Sequence, residues 1–405
     1  MKKRLMFYCQ HVLGMGHFIR STEIVRGLNG FDVSFLNGGE IVQGFELPAS
    51  VNVINLPPIK SDVEFRDIHA ANGLQSLEQT KAIRTSRILA EYERWQPDVL
   101  MIELFPFGRR KFEFELLPLL ERIKATNRQT KVVCSLRDIL VSKRDQSRYE
   151  TRVVELVNEY FDLLLIHADP RFQRLEETFP RASELRCALQ YTGFVAGTVP
   201  RAVASLPRYH QLTPTPDTLA TARGVPTILV SIGGGRVGAE LLDCAMEASQ
   251  LLADQLPHRM LVFTGPYISD SEFAALQTKA NERVTVERYT TNFLAYLAES
   301  DLSISMAGYN TCMNLLATGT RAIVYPFTGN NNEEQTIRAE KLAQLGILDV
   351  LYAHELSPEI LAKKIVQQLN TKPAATPLLD LRGVEKTAQL LGALAHSQHS
   401  MEVAA

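Results

Sequence analysis

A histidine and an arginine directly follow a glycine-rich turn near the amino terminus. Residues 10–20 read QHVLGMGHFIR, and Gly14 and Gly16 permit a tight backbone path close to a ligand. His17 and Arg20 are three residues apart, so they would share one face of the following helix. A histidine with a near-neutral pKa can take a proton from an attacking hydroxyl. Alternatively, the glycines only form a turn and His17 only caps the helix.

A second glycine-rich turn begins after the apolar run TILV. It contains Gly233, Gly234, Gly235 and Arg236 and precedes the helical segment AELLDCAM. Consecutive glycines leave backbone N–H groups free to converge on an anion, and a helix N-terminus adds the positive end of its dipole. This pattern suits a diphosphate. It is neither a Walker A loop nor a GxGxxG dinucleotide fingerprint.

A third polar constellation lies farther along the second half. The sequence SMAGYNT places Ala307 and Gly308 between a strand and a helix, which predicts a second anion-binding turn. After the next strand, Glu334 and Gln335 can accept from and donate to several hydroxyls at once, as sugar recognition requires. Glu333 has the simpler interpretation that it favours a helix N-terminus.

The elements that position these turns follow a βαβ pattern, because short apolar runs alternate with helical-period segments. The predicted strands are Arg4–Cys9, Val33–Leu36, Asn52–Leu56, Asp98–Ile102, Lys131–Ser135 and Leu163–Ile166, then Thr227–Ser231, Met260–Thr264, Val284–Glu287, Leu302–Ser305 and Ala322–Tyr325. The predicted helices include Leu74–Arg94, Phe112–Ala125, Tyr149–Tyr160 and Val384–Ala395. This is an α/β protein with two doubly wound parallel sheets, whose ligands should bind beyond the carboxyl ends of the strands.

The predicted domain boundaries follow composition. Residues 1–198 form an amino-terminal domain, 199–225 a proline-rich linker, 226–378 a carboxyl-terminal domain, and 379–405 a terminal helix and tail. The linker lacks helical or strand periodicity.

The composition excludes several classes of protein. The chain has 405 residues, is 45% hydrophobic and 22% charged, and carries 43 Lys+Arg against 45 Asp+Glu. These values exclude intrinsic disorder, and they give no basic excess for binding nucleic acid. The five cysteines lack metal-binding spacing, and no apolar stretch is long enough to span a membrane. We therefore expect a cytoplasmic protein with reduced thiols and no transmembrane segment.

The motifs together resemble those of the GT-B glycosyltransferases. They are the strand–GxGH–helix of the first half, and GGG, AGYNT, LATG and EEQ followed by RA in the second. The chain is most similar to the family that contains the peptidoglycan N-acetylglucosaminyltransferase, glycosyltransferase family 28. FPFGRR with the later ELLP resembles a predicted bacterial branch of it. The resemblance spans nearly the whole chain and is strongest from Pro226 to Gly346.

This resemblance implies two Rossmann-like domains facing across a cleft, with the acceptor bound by the first and a nucleotide-sugar, usually a UDP-sugar, by the second. It implies inverting transfer without a cofactor and without a metal held by a DxD motif. No two aspartates lie two positions apart in the sequence.

Carried over residue by residue, the resemblance implies one set of donor contacts. The diphosphate would meet Gly233, Gly234, Gly235, Arg236, Ala307 and Gly308, the base Tyr289 and Phe293, and the sugar Glu334 and Gln335, with Asn310, Thr311 and Asn314 completing the donor site. The family commonly has Glu where Asn314 stands. Asn bonds ribose hydroxyls without charge, which leaves the nucleotide open.

The acceptor side offers more than one interpretation. Gly14, Gly16, Arg20, Arg109 and Arg110 are predicted to lie there, with His17 as the base. The two later arginines either contact an anionic acceptor or form a solvated turn.

Glu103, at the end of the strand DVLMI, is either an alternative base or an ion-pair partner of Arg109 or Arg110. The acceptor itself is an unknown glycan, lipid-linked sugar or small molecule. An apolar patch of Phe105, Phe107, Phe112 and Phe114 is a candidate for peripheral membrane contact, or else core.

Two other functions remain compatible with the same fold. In a nucleotide-sugar hydrolase, resembling the enzyme that hydrolyses a UDP-diacetamido sugar, His17 would activate water; a non-hydrolysing epimerase is a variant of this alternative. The other is a sugar-nucleotide binding protein without catalysis.

Overall fold

The computed structural model describes residues 2–12, 15–42, 46–61, 67–71, 76–126, 129–199, 225–329, 333–371 and 379–396. Two units divide the chain: one contains Met1–Ala196 together with Leu379–Ala405, and the other contains Gly197–Leu378. The carboxyl-terminal helix is thus part of the first unit. Nearly all of the predicted linker 199–225 lies outside the described residues.

The first unit contains a seven-stranded parallel sheet. Its strands are β1 (Lys3–Cys9), β2 (Phe31–Asn37), β3 (Asn52–Asn55), β6 (Val99–Glu103), β7 (Lys131–Arg137), β8 (Leu163–His167) and β9 (Ala188–Tyr191), in the spatial order β3-β2-β1-β6-β7-β8-β9. A separate antiparallel pair consists of β4 (Ile59–Ser61) and β5 (Ile68–Ala70). The strand order reverses between β1 and β6, and residues that follow these two strands therefore meet at the switch point of the sheet.

The second unit contains a six-stranded parallel sheet whose strand order also reverses once. Its strands are β10 (Thr227–Ser231), β11 (Arg259–Phe263), β12 (Val284–Glu287), β13 (Leu302–Met306), β14 (Ala322–Tyr325) and β15 (Asp349–Val350), in the order β12-β11-β10-β13-β14-β15. Here the order reverses between β10 and β13. The triglycine turn follows the first of these strands and Ala307-Gly308 follows the second.

Helices connect the strands of both units. They are α1 (Gly16–Gly27), α2 (Leu77–Trp95), α3 (Glu113–Ala125), α4 (Gln146–Tyr160), α5 (Ala239–Leu251), α6 (Asp270–Gln277), α7 (Phe293–Glu299), α8 (Tyr309–Thr318), α9 (Glu334–Gln344), α10 (Pro358–Asn370) and α11 (Gly383–His396). Capping boxes fix some of the starts: at α2, Ser76 Oγ accepts from Gln79 N, and Gln79 Oε1 accepts from Ser76 N.

The central strands are covered on both faces. Leu5, Met6, Phe7, Tyr8 and Cys9 of β1 are all fully buried. A strand enclosed by helices on both sides has no solvent face, which explains why its sequence is an uninterrupted apolar run. The predicted α/β class with two parallel sheets is confirmed.

The predicted apolar patch belongs to this core and does not form an exposed surface. Phe105, Phe107 and Phe112 are buried, and Phe114 is half-buried. The ring of Phe107 lies 5.1 Å from that of Phe179 in an edge-to-face arrangement. The interpretation of this segment as a membrane-contacting patch was therefore wrong, because its rings pack inward.

The last helix is tied back to the first unit by backbone hydrogen bonds. Phe194 N donates to Asp380 O at 2.7 Å, and Gly383 N donates to Phe194 O at 2.9 Å. Asp380 N also donates to the carboxylate of Asp169 at 2.9 Å. The chain therefore leaves the first unit, forms the second, and returns.

Candidate functional site

The first glycine-rich turn leads directly into α1. Gly14 lies outside the described residues, whereas Gly16 is the first residue of α1 and His17 the second. Met15 stands at the N-cap and contributes no side-chain hydrogen bond. The imidazole of His17 is therefore carried by the first turn of the helix that follows β1 in the chain.

His17 pairs with a buried carboxylate on the neighbouring strand. Its Nδ1 lies 2.6 Å from Oε1 of Glu103, the last residue of β6. The Glu103 side chain is fully buried, and that of His17 is 20% exposed. With Nδ1–H donating to the carboxylate, Nε2 keeps its lone pair and can act as a base.

Two arginines also bind this carboxylate, Arg20 at the same oxygen as His17 and Arg109 at the other. Arg20 Nη2 lies 2.6 Å from Oε1 of Glu103, and Arg109 Nη2 lies 3.3 Å from Oε2. Arg20 is one turn beyond His17 on α1, as its spacing predicts. Arg109 follows β6 with a left-handed φ of 61°. A non-glycine residue in this region is strained, and such strain clusters at functional sites.

Burial and charge set the protonation states of the pair. Burial lowers the pKa of His17 to about 3, although the adjacent carboxylate opposes this shift. Burial alone would raise the pKa of Glu103, but His17, Arg109 and Arg20 outweigh it and hold that pKa well below its usual range. At neutral pH the carboxylate is ionised and the imidazole is neutral.

The sequence offered Glu103 either as an alternative base or as an ion-pair partner of Arg109 or Arg110. Both carboxylate oxygens are engaged, Oε1 by His17 and Arg20 and Oε2 by Arg109. Glu103 is thus the hydrogen-bond partner of His17 and the ion-pair partner of Arg109. Arg110 is exposed at the start of a short 3-10 helix, Arg110–Phe112.

A second buried cluster, which the sequence did not reveal, supports the end of β1. Arg84 of α2 donates to both oxygens of Glu115 at 2.7 Å and to Gln10 Oε1 at 2.6 Å. Tyr8 OH donates to the same carboxylate, and Arg84 Nη1 donates to Gly38 O at 2.8 Å. The available signal was Glu115, one of two glutamates in the otherwise apolar segment FEFELLPLL.

The triglycine turn of the second unit depends on glycine backbone geometry. Gly233 and Gly235 have φ of +69° and +87°, in the region that favours glycine. A Cβ on Gly233 would meet nothing within 4 Å, whereas one on Gly235 would lie 2.5 Å from Thr264 O. Gly238 at the N-cap of α5 provides no side-chain cap. The turn thus has an open side at Gly233 and a packed side at Gly235.

The turn after β13 leads into a helix whose N-cap residue is a glycine. Gly308 is the N-cap of α8, without a side-chain cap, and the first turn contains no acidic residue. A Cβ on Gly308 would meet nothing within 4 Å. Asn310 and Thr311 of the first turn and Asn314 of the next are all half-buried. Backbone N–H groups at the positive end of a helix can bind a phosphate.

Glu334 and Gln335 have partners inside the protein. Glu334 is the first residue of α9 and is buried; its Oε1 accepts from Arg338 Nη2 at 2.7 Å. Fully buried Arg338 also donates to Ala307 O at 3.1 Å, which links the start of α9 to the turn after β13. Gln335 Oε1 accepts from Phe327 N at 3.1 Å. The sequence did not reveal the part played by Arg338.

Two aromatic residues follow β12. Tyr289 is 37% exposed, and Phe293 begins α7 with its ring 6.0 Å from that of Phe263. The structure therefore places Tyr289 at the surface and Phe293 against the edge of the core, both on the carboxyl side of the sheet.

Among the described residues, no helix is long and apolar enough to cross a membrane. The same part of the chain contains no group of three or more His, Cys, Asp or Glu residues that could hold a metal ion. All five cysteines are free thiols, four of them buried.

Comparison with known protein families gives a match to the second unit. Residues 228–380 match the model of the glycosyltransferase family 28 C-terminal domain. An uncharacterized glycosyltransferase of Methanopyrus kandleri is 25% identical over 182 residues, 44% of this chain and 49% of the relative.

A UDP-N-acetylglucosamine--N-acetylmuramyl-(pentapeptide) pyrophosphoryl-undecaprenol N-acetylglucosamine transferase of Thermodesulfovibrio yellowstonii is 29% identical over 146 residues, 35% of this chain and 39% of the relative. The chain thus spans about half or less of the length of these relatives.

The fold is shared more widely. The crystal structure of the glycotransferase of kitacinnamycin superimposes with a TM-score of 0.62 at 15% identity, covering 98% of this chain and 100% of that one. At this identity the likeness shows the fold alone. The chain therefore has the GT-B fold of these glycosyltransferases, and its second unit is similar to the C-terminal domain of glycosyltransferase family 28.

Proposed function

We propose that the chain is an inverting, metal-independent glycosyltransferase that moves a sugar from a nucleotide-sugar to an acceptor hydroxyl, with His17 as general base. The observation that carries the proposal is the 2.6 Å contact between His17 Nδ1 and buried Glu103. It leaves a neutral imidazole whose Nε2 is available for a proton. The name of the Thermodesulfovibrio relative favours a UDP-sugar as the donor.

In the proposed reaction, the acceptor oxygen attacks the anomeric carbon from the face opposite the diphosphate. The bond from that carbon to the phosphate oxygen breaks, and the acceptor proton passes to Nε2 of His17. A single displacement of this kind inverts the anomeric centre. Glu103 stabilises the imidazolium as it forms, and base catalysis of this type contributes about 10²–10⁴ in rate.

The departing diphosphate gains negative charge and requires donors aimed at it. We assign this role to the backbone of Gly233, Gly234 and Gly235, to Arg236, and to the first turn of α8 after Ala307 and Gly308. The open space around Gly233 and Gly308 supports the assignment. Peptide dipoles at a helix N-terminus can stabilise this charge without a metal.

The remaining donor contacts are proposals of the same kind. Tyr289 and Phe293 would flank the base, and Asn310, Thr311 and Asn314 would meet the rest of the nucleoside diphosphate. Glu334 and Gln335 would meet the sugar, with Arg338 fixing the position of Glu334.

On the acceptor side we place residues 1–198, including Gly14, Gly16 and Arg20. Arg109 and Arg110 would contact an anionic group of the acceptor. We place the reaction in the cytoplasm, because all five cysteines are free thiols, as expected in a reducing compartment.

The first test replaces the proposed base by His17→Ala. We expect kcat to fall by about 10²–10⁴, while the Kd for the nucleoside diphosphate stays within about twofold, because no proton is transferred in binding. The matched control is His354→Ala, which removes an exposed imidazole in the second unit. Turnover of His17→Ala close to that of the wild type would contradict the proposal.

The second test measures nucleotide release from the donor with and without candidate acceptors. Release that depends on an acceptor is expected for a transferase. Release at the full rate without any acceptor would instead indicate a hydrolase, and no release with any donor and acceptor would indicate a binding protein.

A further inference from the structure

The turn after β11, which no motif in the sequence singled out, interlocks with the triglycine turn. Gly265 has a φ of +88°, and a Cβ there would lie 2.5 Å from Gly233 O and from Gly235 N. Conversely, a Cβ on Gly235 would lie 2.5 Å from Thr264 O. Each turn therefore limits the position of the other, and both require glycine for this contact.

Tyr267 completes this contact from the second turn. Its backbone N–H donates to Gly234 O at 2.9 Å. A Cβ on Gly234 would lie 3.4 Å from Tyr267 Cδ2, so the ring lies directly against the triglycine turn. The position of this ring is thus fixed by the same backbone that forms the candidate diphosphate site.

The guanidinium of Arg236 lies over this ring. Its Cζ is 4.6 Å from the ring centroid of Tyr267, within the range of a cation–π contact. Arg236 is an exposed residue on a long flexible stem. A guanidinium whose face rests on an aromatic ring still directs its N–H donors outward in its own plane, where they match phosphate geometry.

We propose that Tyr267 is a positioning residue for Arg236: its ring holds the guanidinium at the triglycine turn, ready to bind the diphosphate of the donor. This inference rests on the proposed function of the turn. Tyr267 acts through Arg236 and does not touch the reacting atoms.

A second cation–π pair in the same unit provides a matched control. Arg288 Cζ lies 4.3 Å from the ring centroid of Phe273. Its guanidinium is already bound, since Nη1 donates to Ile268 O at 3.1 Å and Nη2 pairs with Asp270. Breaking this stack should affect local packing and leave diphosphate binding unchanged.

The experiment measures the Kd of the full chain for a nucleoside diphosphate and for the matching monophosphate by calorimetry. UDP, dTDP and GDP are first compared by thermal shift, and the one that raises Tm most is used. The variants are Tyr267→Leu, which keeps bulk but removes the ring, Tyr267→Phe, which keeps the ring, and the control Phe273→Leu. Each is also made in an Arg236→Ala background.

We expect Tyr267→Leu to raise the diphosphate Kd about two- to fivefold, as for loss of an exposed cation–π contact. The monophosphate Kd should change less, and Tyr267→Phe and Phe273→Leu should bind like the wild type. Arg236→Ala should raise the diphosphate Kd about tenfold or more, because a charge-assisted contact is lost. In that background Tyr267→Leu should add no further loss.

Three results would overturn the inference. They are an unchanged diphosphate Kd in Tyr267→Leu, an equal loss in Tyr267→Phe, and a full additional loss in the Arg236→Ala background. If the wild type binds none of the three diphosphates, the proposed donor site fails and this inference fails with it. If the wild type binds a diphosphate and any of these three results is obtained, only the inference about Tyr267 is overturned, and the proposed donor site is unaffected.

Discussion

The two units place their candidate chemistry at equivalent points of similar sheets but make it from different groups. At the β1–β6 switch point, the first unit gathers ionisable side chains: His17, Arg20, Glu103 and Arg109. At the β10–β13 switch point, the second unit offers the triglycine backbone and the start of α8, whose N-cap residue is Gly308.

The difference follows from what each task requires. Burial and neighbouring charges can tune a side chain that exchanges a proton, whereas a backbone N–H remains a donor at every ordinary pH. The comparison therefore predicts that proton transfer and acid sensitivity belong to the first unit, and that anion binding belongs to the second.

The largest expected effect is that of Glu103→Gln. The carboxylate has two acceptor oxygens, whereas the amide has one oxygen and one NH₂ group. The NH₂ group must therefore face at least one of the three donors, His17, Arg20 or Arg109. If it faces His17, the imidazole shifts its proton to Nε2 and loses its basic lone pair. We expect kcat to fall by about 10²–10⁴.

The same variant should bind nucleoside diphosphate within about twofold of the wild type, because that site lies in the other unit. Steady-state kinetics and calorimetry test the two expectations together. A large loss of nucleotide affinity with little loss of kcat would reverse the assignment of tasks to the units.

The next effect is acid sensitivity of the first unit. Burial lowers the pKa of His11 to about 4, of His17 to about 3 and of His167 to about 3. These folded-state values lie below the unfolded value of about 6.5. The stability that these neutral imidazoles contribute is therefore fully present above about pH 6.5, and it is lost as the pH falls below that value.

By pH 5.5 each of these histidines should lower the free energy of unfolding by about 1.4 kcal/mol, or roughly 4 kcal/mol for the three together. The single tryptophan, Trp95, lies on α2 in the first unit, so its fluorescence reports on that unit. Urea unfolding followed at Trp95 should shift to lower urea between pH 7.5 and 5.5. An unchanged midpoint would contradict the expectation.

The smallest effect concerns the backbone of the second unit. Gly235→Ala forces a left-handed φ on a side-chain residue and places its Cβ 2.5 Å from Thr264 O. We expect a loss of about 1–3 kcal/mol in the free energy of unfolding. Gly308→Ala, at φ −64° with nothing within 4 Å, should change it by less than about 0.5 kcal/mol.

Denaturant unfolding monitored by circular dichroism compares these two variants. Equal losses would show that the triglycine turn does not depend on its glycine geometry. Preserved stability in Gly235→Ala would show that the two interlocking turns can move apart.

Most of the fold could be predicted because buried parallel strands carry continuous apolar runs. Thr227–Ser231, Val284–Glu287 and Ala322–Tyr325 have the predicted limits. Four strands were missed, and all are short or peripheral. Ile59–Ser61 and Ile68–Ala70 have three residues each, Ala188–Tyr191 has exposed or half-buried side chains throughout, and Asp349–Val350 has two residues. Such strands carry little periodic signal.

The individual candidate residues of the site could be predicted, but the contacts between them could not. His17 and Glu103 were treated as rival bases, because 86 positions separate them and only strand order brings β1 beside β6. Arg84 with Glu115, and Arg338 with Ala307, were missed for the same reason. Contacts within one helix or turn can be predicted from the spacing of residues in the sequence. Contacts between neighbouring strands depend on the order of the strands in the sheet.

The return of the chain to its first unit has a consequence for synthesis. Because Asp380 and Gly383 bond to Phe194, the amino-terminal part cannot be completed until all 182 intervening residues, Gly197–Leu378, have been translated. At about 5–20 residues per second, this leaves the nascent amino-terminal part without its last helix for roughly 10–40 s. A fragment that ends at residue 196 should lack the last helix and its hydrogen bonds to Phe194 permanently. Appending residues 379–396 through a short linker should restore them.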